Sequence, residues 1–181
     1  MGDVEMPPGH TAAGGVLVGS DQARRRLVVF EDPQCPYCRQ FEDATGDLVR
    51  RETAAGAVSV EYRIRSFLGV ESVRAANALA AAAGAGRFDE LRRELFADQP
   101  PEHSGGFTTD DLLELGRRAG VTGADYGAAV RDGRYTDWVR SVDDMFQEQD
   151  PRGTPFALLD DQPIGSETLS DPDALGALIR G

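Results

Sequence analysis

Apolar residues in this chain change period several times, and each change marks an element. Gly15-Val16-Leu17-Val18-Gly19 reads as a short strand, and Asp21 to Arg26 turn the chain. From Arg26 to Phe30 the run is β-branched and apolar without alternation, the pattern of a central strand covered on both faces. Tyr37, Phe41, Ala44 and Leu48 recur at spacings of four, three and four, one face of a helix from Pro36 to about Ala55. Val58, Val60, Tyr62 and Ile64 then alternate with Ser59, Glu61, Arg63 and Arg65, predicting a strand from Val58 to Phe67 with one wet face.

A helical tract follows. Ser72 to Ala83 is Ala-rich, and Arg87 to Ala97 carries Phe88, Leu91, Leu95 and Phe96 on one side. Thr108 or Thr109 caps a helix to Ala119, with Asp110 and Asp111 in its favourable first turn. A short helix from about Gly123 to Arg131 precedes a longer one containing Tyr135, Trp138, Val142 and Met145, aromatic and apolar positions assigned to the core. After Pro151, Pro155 to Leu159 and Pro163-Ile164 flank Asp160-Asp161-Gln162 as a hairpin, and Asp171 caps a last helix through Ile179. Strand, strand, helix, strand, several helices, hairpin, helix is an α/β order with an all-helical insertion.

Composition narrows the function. The 181 residues carry 19 basic and 31 acidic groups, a net charge of −12 that repels nucleic acid and anionic lipid. Hydrophobic residues at 40% and charged residues at 28% describe a globular protein. No apolar run approaches the roughly 18 residues needed to span a bilayer. The opening Met1-Gly2-Asp3-Val4-Glu5-Met6-Pro7-Pro8 shows neither a basic nor an apolar segment of a signal peptide, so either a cytoplasmic protein or a chain without its leader is expected.

The two cysteines sit three apart, in Cys35-Pro36-Tyr37-Cys38, directly after the buried-strand signal and at the start of the helix. Helix N-termini and Cys-X-X-Cys arrangements lower a thiol pKa from about 8.5 to roughly 3.5–7.5. Cys35 is therefore the expected nucleophile, and Cys38, one turn inward, the resolving thiol. Pro36 is tolerated where the first helical turn needs no donor. The same spacing also admits an inert bridge or a metal site. A four-residue loop staples weakly, by about 2 kcal/mol, and His10 and His103 lie in predicted loops away from the pair.

The segment Phe30-Glu31-Asp32-Pro33-Gln34-Cys35-Pro36-Tyr37-Cys38-Arg39-Gln40-Phe41-Glu42 resembles the active site of DsbA-like proteins of the thioredoxin superfamily. Gly153-Thr154-Pro155 resembles their second signature, and Arg74 to Ala78 and Leu95 to Gln99 also look familial. The resemblance implies a thioredoxin fold with a central mixed β-sheet and a helical insertion. It divides the chain into a flexible arm over 1–13, a first part over 14–66, an insertion over 67–150 and a second part over 151–181. It implies a cis-proline at Pro155, with Thr154 and Pro155 positioning substrate beside Cys35 and the Pro36-Tyr37 dipeptide. Many relatives carry a buried carboxylate six residues before the first cysteine. Here that position is Val29, and Glu31, two residues on, can take its place as proton relay. The acids Glu31, Asp32, Glu42 and Asp43, offset only by Arg39, are expected to raise the Cys35 pKa and give a less oxidising site than that of DsbA itself.

The expected function is thiol–disulfide exchange with protein thiols and disulfides, in oxidative protein folding. The chain would act as a monomer with a separate redox partner, no nucleic acid, and no metal or cofactor beyond the Cys35-Cys38 pair. Residence outside the cytoplasm follows from the relatives. A cytoplasmic thioredoxin- or glutathione-linked reductase on the same fold and a redox-inert or metal-carrying adaptor are the alternatives.

Overall fold

The computed structural model describes residues 6–147 and 153–181. Strands β1 (Val16–Val18), β2 (Arg25–Glu31) and β3 (Val58–Ile64) and helix α1 (Pro36–Ala54) come first. Helices α2 (Val70–Gly84), α3 (Phe88–Ala97), α4 (Thr109–Arg118), α5 (Ala124–Asp132) and α6 (Thr136–Gln147) then run between β3 and β4 (Phe156–Leu159). β5 (Gln162–Pro163), a single turn α7 (Ser166–Leu169) and α8 (Pro172–Arg180) complete the chain. The sheet order is β1-β3-β2-β4-β5, with β2 parallel to β3 and every other pairing antiparallel. This is the expected mixed sheet with helices inserted before its fourth strand. The expected junction at 150/151 and residues 1–5 lie outside the described residues.

Strand β2 sits at the centre and is covered on both faces, which explains its unbroken apolar run. Leu27 and Val29 face Phe41, Leu48, Leu175 and Ile179, whereas Val28 and Phe30 pack with Ala76, Ala80, Trp138 and Phe146. The small side chains of α2 let it lie close to α5 and α6. The Asp160-Asp161 turn has positive φ at both residues (48° and 64°), the geometry that a tight hairpin needs. The helices start where local chemistry dictates: Thr108 and Asp111 form a reciprocal capping box on α4, and Asp171 accepts from the Asp173 and Ala174 amides on α8.

Two expectations about the sheet region change. The polar side of β3 is dry: Ser59 and Glu61 are buried. Glu61 accepts from the Thr11 hydroxyl at 3.0 Å and pairs with Arg26 and with Arg63. The segment around residues 10–15 lies over this side, with the His10 ring edge-on to Trp138 at 4.4 Å. That part of the expected arm is packed, because β3 is an interior strand and its second face needs a cover.

Candidate active site

The turn from β2 into α1 places both thiols. Cys35 caps α1 with extended backbone (φ −72°, ψ 118°), and no side chain caps the helix. The unpaired first-turn amides, and the partial positive charge they carry, are thus left for the Cys35 sulfur. Cys38, one turn in, is fully buried, and Phe96 of α3 packs on both cysteines. Both thiols are free. Pro36 and Tyr37, between them, are exposed, Tyr37 at 64%.

Across from the thiols the Thr154-Pro155 peptide is cis. The Cys35 thiol donates to the Thr154 carbonyl oxygen at 3.3 Å. Cys35 itself is only 5% exposed, less open than a nucleophile at a helix mouth is expected to be, because the Thr154 loop and Phe96 close over it. Beside it lies a groove of about 270 Å³ lined by Tyr37, Gln40, Phe41, Thr154, Pro155 and Leu169, among others.

The two sulfurs are driven apart in acidity. A hydrogen bond from Cys38 lowers the Cys35 pKa to about 6 against the opposing effect of burial. The Thr154 side chain and the backbone amides of Cys38 and Tyr37 act in the same sense as Cys38. Burial pushes the Cys38 thiol well up, and the Cys35 thiolate and Glu31 push it further. One sulfur is a thiolate near neutrality and the other keeps its proton.

The expected upward shift of Cys35 by surrounding acids is therefore corrected, and two of those acids are themselves held by a residue far away in sequence. Arg92 of α3, 1% exposed, donates to both oxygens of fully buried Glu31, at 2.6 and 2.7 Å. A third donor reaches Glu42 at 2.5 Å, and the guanidinium stacks over Tyr62 and Phe96. Burial raises the Glu31 pKa, with Arg92 pulling against it. For Glu42, burial is outweighed by Arg92 and Arg50, and its pKa falls. Asp43 pairs with Arg39 at 3.6 Å. Glu31 does lie near enough to Cys38 for its charge to act there.

The helical insertion holds this turn at two further points. Gln99 donates to the Pro33 carbonyl at 2.8 Å and the Cys35 carbonyl at 3.0 Å. Ser72 of α2 donates to Asp32 at 2.6 Å. The Leu95 to Gln99 run was the available signal for Gln99. For Arg92 and Ser72 there was none. Among the described residues, no cluster of three or more His, Cys, Asp or Glu side chains is arranged to hold a metal ion.

A family model described as Thioredoxin matches residues 11–180. The chain belongs to the thioredoxin family, and within it to the DsbA-like branch. The reduced disulfide bond oxidoreductase DsbG from Mycobacterium tuberculosis superposes with a TM-score of 0.81 at 25% identity, covering 94% of this chain and 88% of that one. Oxidised DsbA of the same organism gives 0.80 at 26% identity, covering 92% and 91%. BdbD from Bacillus subtilis shares the fold at 0.82 and 21% identity, covering 96% and 95%. No curated protein matches the sequence. The two segments read as signatures in the sequence, Cys35 to Cys38 and Thr154-Pro155, lie side by side in the structure. Among the described residues no helix is long and apolar enough to cross a membrane.

Proposed function

We propose that this protein is a thiol–disulfide oxidoreductase that exchanges disulfides with protein substrates in oxidative folding. One observation carries the reading: a thiolate-forming Cys35 at an uncapped helix start, 3.3 Å from the carbonyl that precedes a cis-proline, beside a buried Cys38 that stays protonated. In the reducing direction the Cys35 thiolate attacks a substrate S–S bond, forming a mixed disulfide and expelling one substrate thiolate. Cys38 then gives its proton to solvent and attacks the Cys35 sulfur. This releases the second substrate thiolate and leaves the Cys35-Cys38 disulfide, two electrons having passed to the substrate. Oxidation of a substrate dithiol is the reverse.

The Cys35-Cys38 pair is itself the redox group, so the reaction calls on no further cofactor. Thr154 and Pro155 present an extended substrate strand to Cys35 along the groove between Tyr37 and Leu169, with Pro36 and Tyr37 as the exposed dipeptide it meets.

 Glu31, with both oxygens held by Arg92, acts on Cys38 through its charge. We place the protein outside the cytoplasm, acting as a monomer with a separate redox partner that resets the pair.

Insulin reduction and reduced-RNase oxidation test the reading, with Cys35→Ser and Cys38→Ser variants alongside the wild type. Exchange is expected from the wild type, none from Cys35→Ser, and a trapped mixed disulfide from Cys38→Ser. No exchange by the wild type in either assay removes the proposal, and the equilibrium with glutathione decides which direction dominates.

A further inference from the structure

Of the acids around the thiols, Asp32 alone is buried without a cation. Its carboxylate folds back under the turn that leads into α1. Oδ1 accepts from the Gln34 amide at 2.9 Å and from the Ser72 hydroxyl at 2.6 Å, and Oδ2 accepts from the Leu68 amide at 3.3 Å. The backbone closes the same turn, since the Cys35 amide donates to the Asp32 carbonyl at 2.9 Å. Asp32 is fully buried, and among the described residues no arginine or histidine forms an ion pair with it.

The neighbouring charges are all committed elsewhere. Glu31, the preceding residue, is held by Arg92 of α3. Glu71 of α2, next to Ser72, accepts from the Gly105 amide at 2.9 Å. Arg65, just past β3, pairs with Asp143 of α6 at 2.5 Å. On α1, Arg39 pairs with Asp43. The ionisable groups left near Asp32 are the two thiols: Cys35, whose charge acts on the carboxylate, and buried Cys38, which meets the Asp32 backbone and keeps its proton.

We propose that Asp32 is a positioning residue whose carboxylate shares one proton with the Cys35 thiol, so that the charge on either group suppresses the charge on the other. This rests on Cys35 being the reactive thiol of the proposed function. Two adjacent buried anions in one turn repel, and the three neutral donors on Asp32 offset that repulsion only in part. The acidities agree with the geometry. Burial lifts Asp32 to about 6, with the Cys35 thiolate adding to the rise, and Cys35 is itself brought to about 6. Groups whose charges act on one another titrate as a pair. Ser72 then has a defined part: its hydroxyl favours the charged carboxylate and so holds Cys35 back from ionising.

The test is the thiolate absorbance of the reduced protein at 240 nm, followed against pH in the wild type, Asp32→Asn and Ser72→Ala. The wild type should titrate over a broader range than a single site. Asp32→Asn should give a single-site curve with its midpoint lower by about one pH unit, and so alkylate about fivefold faster at pH 5. Ser72→Ala should move the midpoint the same way by less. A merely structural loosening of the turn would withdraw the helix amides from Cys35 and move the midpoint up instead. An Asp32→Asn midpoint unchanged or raised overturns the proposal; if that variant does not fold, Ser72→Ala is judged by the same criterion. The insulin assay separates the two readings. A shifted titration in a protein that exchanges no disulfides leaves the shared proton standing and removes the function, and an active enzyme with an unmoved titration does the reverse.

Discussion

Replacing Arg92 by Met isolates what the buried guanidinium contributes. Met fills much of the same volume and keeps an apolar stem against Tyr62 and Phe96, whose rings the guanidinium covers at 4.3 and 5.1 Å. It removes both hydrogen bonds to Glu31, at 2.6 and 2.7 Å, and the one to Glu42 at 2.5 Å. Glu42 keeps Arg50, but Glu31 is left without a cation in a site with no exposure. Breaking a buried pair in this way costs about 3–5 kcal/mol, a large part of the roughly 5–15 kcal/mol that holds a domain together. The stranded carboxylate escapes the cost by taking a proton. Burial already raises the Glu31 pKa in the folded protein, and losing Arg92 raises it further. The unfolded state is common to both chains, so the penalty relative to the wild type is smallest below the wild-type folded pKa, where Glu31 is protonated in both, and grows as pH rises from there through the variant's higher folded value. Urea denaturation at pH 5 and pH 8 should show the variant destabilised at both, and more at pH 8. Adding Glu31→Gln to Arg92→Met should recover much of the loss, because no uncompensated charge then remains. An equal cost for Arg92→Met in the native and Glu31→Gln backgrounds, with no dependence on pH, would refute the ion-pair reasoning and leave Arg92 a matter of shape.

Two further predictions rest on single side chains. Iodoacetamide should modify the reduced protein at a rate that rises through about pH 6, where Cys35 ionises. Because that pKa lies below the unfolded thiol's, the contribution of Cys35 to stability is complete above about pH 8.5 and is lost as pH falls through the folded value. At pH 7 the same shift favours the reduced protein by about 1.4 kcal/mol, which raises its potential by about 30 mV relative to an unperturbed thiol. A modification midpoint near 8.5 would contradict the helix-terminus argument. Gly116→Ala should lower the melting temperature although alanine is the better helix former. Its added carbon would stand 2.3 Å from the Tyr126 ring, and the Tyr126 hydroxyl is fixed by its bond to the Leu112 carbonyl at 2.7 Å. Overpacking of this kind costs about 1–3 kcal/mol, and a variant as stable as the wild type would show that the α4–α5 contact yields.

What the chain by itself determined is whatever depends on neighbours in sequence. The unbroken run at Leu27 to Phe30 marks a strand covered on both faces, the four-three-four spacing after Pro36 marks α1, and the Asp160-Asp161 pair marks a hairpin turn. Each follows from local period or backbone preference. The cysteine spacing likewise placed one sulfur at the helix start and the other a turn inward. What only the tertiary structure decided is the electrostatic setting of those sulfurs. The alternation over β3 predicted a wet face, yet Glu61 is buried beneath a segment some 50 residues earlier. The acids near the thiols predicted a raised Cys35 pKa, yet Arg92, 61 residues from Glu31, offsets two of them, and Asp32 alone is left without a cation. Charges act through distance in space and through burial, and neither is a property of position along the chain.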